Sequence, residues 1–192
     1  MLQVNFNPFP VINTERLLLR KIVQNDVNEI FFLRSDKNVL EYLDREPAAT
    51  KEEAAVWIQK IIDLEKNNEA VTWAITYKPH LTLIGTICFW NIQKEHYRSE
   101  IGYALHPDHQ GKGIMQEAMN AVLEYGFKTM KLHSIEANVN PNNLSSIKLL
   151  ERNNFVREAY YKENYFYNGK FLDSAIYSLL SPLNKSSQSF VN

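Results

Sequence analysis

A chain of 192 residues is long enough to bury one substantial core, and 45% hydrophobic with 22% charged residues is a globular composition rather than a disordered or fibrous one. The formal net charge of −1 removes any general electrostatic case for nucleic acid or an anionic membrane as a partner. A lone cysteine, Cys88, excludes an internal disulfide and fits a reducing compartment; within LIGTICFW it reads as a small buried hydrophobe rather than a nucleophile.

Elements of two periods alternate along the chain. The N-terminus lacks a basic start, a long apolar run and a small-residue cleavage site, and no stretch approaches ~20 apolar residues, so a cytoplasmic protein is expected. RLLLRK, residues 16–21, reads as a first strand. DVNEIFFLRS follows as a helix, with Asp26 placed to cap it and Glu29 three residues on. TKEEAAVWIQKIIDLEKNN is a stronger helix. Thr50 and Glu53 have capping-box spacing there, and Ala54, Ile58, Ile61 and Glu65 follow one stripe.

VTWAITY and LTLIGTICFW are β-rich runs whose Lys-Pro-His connection suggests a hairpin. In SEIGYAL, Ile101, Tyr103 and Leu105 alternate with Glu100, Gly102 and Ala104. Gly102 inside this strand suits a bulge or a close approach. After a glycine-bearing loop, Met115, Ala118, Met119, Val122, Leu123 and Phe127 recur at helical spacing. SIEANVN, residues 134–140, is a strand, and a short helix then presents Leu144, Ile147 and Leu150. Two long strands about Asn168-Gly169 close the pattern, before a polar tail from Ser181 that is expected to fray. An antiparallel first half, one strand–helix–strand unit and a final hairpin make an α+β fold, expected as one unit over residues 1–180.

The loop HPDHQGKGIMQEAM, residues 106–119, carries the chemistry. Only six glycines occur in the chain, yet Gly111 and Gly113 bracket one lysine directly before a helix. Glycine permits left-handed backbone angles and lets a ligand approach without a Cβ in the way. The following helix start offers free N–H groups and about half a positive charge. A phosphate-bearing ligand is the natural occupant, with a plain structural turn as the alternative. The P-loop pattern fails because no Lys-Ser/Thr follows, and the dinucleotide fingerprint fails because Gln116 stands where a third glycine is needed. His106 and His109 lack a third ligand, so no metal site is read here.

In context this loop resembles the acetyl-CoA loop of the GNAT acetyltransferases, and within them the RimJ/RimL branch, which acetylates protein N-termini. Gln110, Gly113 and Met115 fill the pattern Gln/Arg-x-x-Gly-x-Gly/Ala, with Met115 replacing the last small residue. A second, separate stretch is similar to the family's Asn-x-x-Ser helix and its Lys/Arg-x-Gly-Phe ending: Asn143, Ser146, Arg152 and Phe155. Asn154 replaces the usual glycine and is the next best residue at a left-handed helix end. INTERLLLRK and NGKFLDSAIYSLL are also similar to this branch, so the resemblance covers most of the chain.

The resemblance implies a GNAT fold: a mixed, mostly antiparallel twisted sheet with a central βαβ unit and strands splayed at the cofactor site. It implies acetyl-CoA as cosubstrate and no metal. The pantetheine arm would pair near Tyr103–Leu105, with Asn138 and Asn143 as further contacts. The pyrophosphate would rest on Gln110, Gly111, Lys112, Gly113, Ile114 and Met115, with Lys112 and Lys148 attracting phosphates. Glu100 is the candidate base, or else an exposed surface carboxylate. Ser146 is the candidate proton donor to sulfur, or else a helix-start serine bonded to backbone.

A protein N-terminal α-amine leads as acceptor. A small amine (polyamine, amino acid or antibiotic) and a non-catalytic acyl-CoA sensor are the alternatives. Direct nucleic-acid or membrane binding is not expected, and both monomers and homodimers occur in the family. The cluster Tyr160, Tyr161, Tyr165, Phe166 and Tyr167 either lines an acceptor pocket or packs across its hairpin.

Overall fold

A computed structural model describes residues 1–182. Its eight strands are β1 (Ile12–Asn13), β2 (Leu17–Lys21), β3 (Val71–Tyr77), β4 (Leu83–Gln93), β5 (Arg98–Leu105), β6 (Ser134–Val139), β7 (Val156–Tyr167) and β8 (Lys170–Leu180). The helices are α1 (Val27–Ser35), α2 (Lys37–Leu40), α3 (Lys51–Lys66), α4 (Ile114–Lys128) and α5 (Leu144–Arg152). The strands form one sheet in the order β1-β2-β3-β4-β5-β6-β8-β7, in which only β5 and β6 run parallel. This is the expected α+β GNAT architecture, with β5–α4–β6 as its central crossover.

Helices cover both sheet faces, and a separate apolar cluster fills each side. Ala54, Ile58 and Ile61 of α3 pack with Ile30 and Leu33 of α1 against Ala74 and Leu83. Ala118, Met119, Val122 and Phe127 of α4 pack on the opposite side with Trp73, Ile87, Phe89 and Ile135. Double coverage explains why VTWAITY lacks alternation: all residues from Val71 to Thr76 are buried. Trp73, fully buried, donates from Nε1 to the Pro10 carbonyl at 2.6 Å and meets Phe89 and Tyr125 edge-on. Ile114 supplies a buried first-turn residue on α4, whereas Met115 is half-buried beside the cleft described below.

Local chemistry departs from expectation in four places. Asp26 precedes α1 but makes no side-chain cap. Its buried carboxylate instead receives both terminal nitrogens of Arg20, at 2.8 and 2.6 Å, and the Val23 N–H. A bidentate, charge-assisted pair outcompetes a cap. Thr50 does cap α3 by accepting from Glu53 N–H, but Glu53 reaches back to Ala49 N–H rather than to the cap residue. Leu144 points to solvent, leaving Leu150 as the fully buried residue of α5. Ser181 is buried just past the end of β8 and donates its N–H to the His133 carbonyl, so it does not begin a fraying tail. The rest of that tail, 183–192, lies outside the described residues.

Other local signals act as expected. Asn168 and Gly169 take positive φ values of 45° and 76° in the β7–β8 turn. Asn154 takes φ 63°, and Phe155 N–H closes α5 onto the Leu150 carbonyl.

The sheet opens at its centre. β5 pairs with β6 only from Arg98↔Ser134 to Glu100↔Glu136. Beyond Glu100, β5 stays with β4 through Leu105 while β6 stays with β8 through Val139, so each follows its outer partner and a gap widens between them. Gly85 of β4 holds one side of that gap in place. A Cβ at this position would lie 2.6 Å from the Ala104 carbonyl oxygen. Gly85→Ala is expected to destabilise the protein by roughly 1–3 kcal/mol of overpacking. Thermal unfolding should show a Tm lower by about 2–10 °C.

Candidate active site

The gap between β5 and β6 opens into two adjoining cavities. The first, about 510 Å³, is bordered by Tyr103, Leu105, Gln110, Gly111, Gly113, Ile114 and Met115, and by Asn143 and Ser146 of the facing α5 turn. The second, about 500 Å³, lies towards α1 and α3 and includes Glu100, Cys88, Trp90, Asn138, Arg34 and Arg45. Tyr103, Asn143 and Ser146 border both and mark where they meet.

The glycine loop forms an anion cradle. Gly111 and Gly113 have φ of 70° and 73°, and a Cβ at Gly111 would meet nothing within 4 Å. Gly113 caps α4 in the left-handed conformation with no side-chain bond. Among the described residues, the N–H groups from Gly111 to Gln116 have no internal acceptor, so they are free to receive an anion at the helix start.

A clamp invisible in the motif steadies this loop. Arg16 donates from Nε to Glu117 Oε2 at 2.6 Å and from Nη1 to the Lys112 carbonyl at 3.1 Å. Glu117 also accepts from the Thr14 hydroxyl and the Arg16 N–H. Burial pushes the Glu117 carboxyl up, but these hydrogen bonds and the Arg16 charge hold it below the usual range. The clamp joins residues about a hundred positions apart, so no local pattern announces it.

Most of the expected cofactor contacts therefore share one cleft, with two exceptions. Lys112 turns its ammonium to the Asp108 carbonyl at 2.7 Å and does not border the cleft, whereas Lys148 and Arg152 do. Asn138 borders the second cavity, where its backbone N–H favours the charged form of Glu100. Gln110 braces the loop by donating to the Leu105 carbonyl at 3.3 Å. Asn143 caps α5 by accepting from Ser146 N–H at 3.0 Å.

Two groups of chemical interest converge where the cavities join. The Tyr103 hydroxyl and Ser146 Oγ lie 2.7 Å apart. Burial pushes the tyrosine up to about 12, with Ser146 opposing, so it remains a proton donor through the neutral range. Glu100 is half-buried on the polar face of β5, not an open surface carboxylate. Burial raises its pKa, against the lowering effects of Asn91, Arg98 and the Asn138 N–H. Gly102 sits in regular pairing with Cys88, and its missing side chain admits Cys88 Sγ and the Trp90 indole; a Cβ would lie 3.2 Å from the sulfur. Cys88 is half-buried on the cavity wall rather than sealed in the core, because its side chain points into the space Gly102 leaves. The tyrosine-rich hairpin borders neither cavity: Tyr160 bonds Asp173, and Tyr165 reaches Asp44.

The chain belongs to the GNAT acetyltransferase family: the acetyltransferase (GNAT) domain model matches residues 16–156. It is 33% identical over 174 residues to the uncharacterized N-acetyltransferase YoaA of Bacillus subtilis, covering 91% of this chain and 98% of that one. A ribosomal-protein-S5-alanine acetyltransferase structure from Vibrio fischeri superposes with a TM-score of 0.80 at 28% identity, over 90% of this chain and 97% of its own. The spermidine N-acetyltransferase of Vibrio cholerae, in complex with CoA and spermine, gives 0.78 at 27% identity, over 88% and 97%. The protein is an acetyl-CoA-dependent N-acetyltransferase, with acetyl-CoA as its cosubstrate.

Despite its cavity position, Cys88 is poorly suited to act as a nucleophile. Burial pushes its thiol up to about 12. At pH 8 its thiolate fraction is on the order of a thousandfold below that of a free cysteine. Titration with a thiol-specific disulfide reagent is expected to show slow labelling in the folded protein and rapid labelling after denaturation.

Proposed function

We propose that this enzyme acetylates the α-amine of a protein or peptide N-terminus. The observation that carries this reading is the charge of the second cavity. Among the described residues Glu100 is the one carboxylate that borders it, while Arg34, Arg45 and Lys60 are all cationic. An acceptor with one ammonium at the reacting end suits that distribution. A polyamine would bring further ammonium groups against three cations with no second carboxylate bordering that cavity, which disfavours the activity named for the spermidine relative.

The chemistry follows from the groups at the junction. Acetyl-CoA supplies the acetyl group when bound. Its phosphates fit the free N–H groups at Gly111 to Gln116, and its arm fits the unpaired β5 edge near Tyr103–Leu105, beside Asn143. Glu100 takes the proton from the incoming ammonium, directly or through water, and its raised pKa brings it nearer the amine it must serve. An α-amine, with a pKa of ~7.7–8.0, is about a quarter neutral at physiological pH, whereas a lysine at ~10.4 is neutral about once in a thousand. A modest base is therefore enough for the first and strained by the second. Ser146, held by its bond to Tyr103, offers a proton to the departing sulfur. Transfer is direct, from thioester to amine.

Glu100→Gln is expected to lower kcat by about 10²–10⁴-fold while acetyl-CoA still raises the Tm. In the wild type, the acidic limb of the kcat/KM profile should fall above the ordinary carboxylate range, because the raised group loses its base form as pH drops through its own pKa; the substitution should remove that limb. The acceptor class is tested by kcat/KM for a peptide with a free α-amine, the same peptide with a blocked N-terminus and an internal lysine, and spermidine. The free α-amine should lead by at least about tenfold. Preferred turnover of spermidine or of the lysine would reject this reading.

A further inference from the structure

The second cavity contains two guanidinium groups that the protein leaves without anions. Arg45 is half-buried, its Nε is shielded from solvent, and that nitrogen has no hydrogen-bond partner. Arg34 lies with its guanidinium 4.5 Å from the Trp57 ring centroid, a stacking contact that neutralises no charge. Neither forms an ion pair among the described residues. The two repel one another, and burial together with that repulsion lowers Arg34 to about 10.

Nearby acids do not pair with them. Asp44 is exposed and accepts from Tyr165, and among the described residues Glu100 forms no ion pair with either arginine. Two adjacent arginines held partly out of water without a counter-ion are unfavourable in the free protein. Such an arrangement is useful when a ligand supplies the missing charge, and guanidinium geometry suits carboxylate or phosphate.

Resting on the α-amine reading, we infer that the acceptor carries an anionic group close behind its reacting amine, and that Arg45 with Arg34 selects it. Arg34, Arg45 and Glu100 border one cavity, so an anion held by the guanidiniums lies close to the reacting amine, as an acidic side chain within the first two residues of a peptide would.

The test compares kcat/KM for peptides identical except at position two, which holds Asp, Asn or Lys, with O-phosphoethanolamine and spermidine as small amines. The Asp peptide should exceed its Asn counterpart by roughly tenfold to a hundredfold, with the Lys peptide lowest. In Arg45→Gln the Asp-to-Asn ratio should collapse towards one, chiefly through KM, and Arg45→Glu should make the Lys peptide the best substrate. A thermal shift with acetyl-CoA verifies that each variant folds, and Arg34→Gln provides an independent reduction of the same ratio. Equal rates across the wild-type peptide panel, or an unchanged ratio in folded Arg45→Gln, overturn the inference while leaving α-amine acetylation intact. Turnover of O-phosphoethanolamine but of no peptide keeps the anionic selection and overturns the peptide reading. Preference for spermidine overturns both.

Discussion

The early end of β5–β6 pairing governs the molecule. Three parallel residue pairs join the strands, and after Glu100 each is held only by its outer neighbour. The backbone released on the inner edge of β5 is a line of hydrogen-bonding groups that the fold itself does not satisfy, and leaving such groups unpaired is costly unless water or ligand receives them. Both cavities and their meeting point lie in this one opening. The opening remains ordered because it is braced from outside: α4 and its apolar stripe on one face, α1 and α3 on the other, and Gly85 allowing β4 to approach the end of β5.

Electrostatics divides the opening into two halves with different requirements. In the first cavity, unclaimed N–H groups at a helix start add to the Lys148 and Arg152 side chains, while Arg16 is held by Glu117 and the loop carbonyl. In the second cavity the positive potential comes from guanidinium side chains that can be altered without rebuilding the loop. Between them stand groups whose protonation is adjusted by burial: Glu100 is driven towards proton uptake and Tyr103 is kept protonated.

The glycine loop was legible because its signal is local. Gly111 and Gly113 are needed for their own backbone angles, and the helix that follows has its period written in consecutive residues. The same holds for the Asn168-Gly169 turn and the Asn154 helix end. Misreadings arose where a long-range partner displaced a local one. Asp26 has the composition of a helix cap, but Arg20 claims it; Ser181 has the composition of a fraying tail, but the His133 carbonyl holds it. Leu144 has helical spacing but faces outward, because periodicity fixes the angle between side chains and not which angle meets the core.

By itself, then, the sequence determined the kind of elements, their order, the central crossover and the cradle for an anion, since each depends on short-range backbone preference or on motif residues within one loop. Only the tertiary structure decided that Tyr103 meets Ser146, that Arg16 anchors Glu117, and that Arg34 and Arg45 stand together without an anion. These are contacts between side chains from distant segments. Their energies are set by shared burial and mutual charge, which exist only once the sheet has brought those segments to the same opening.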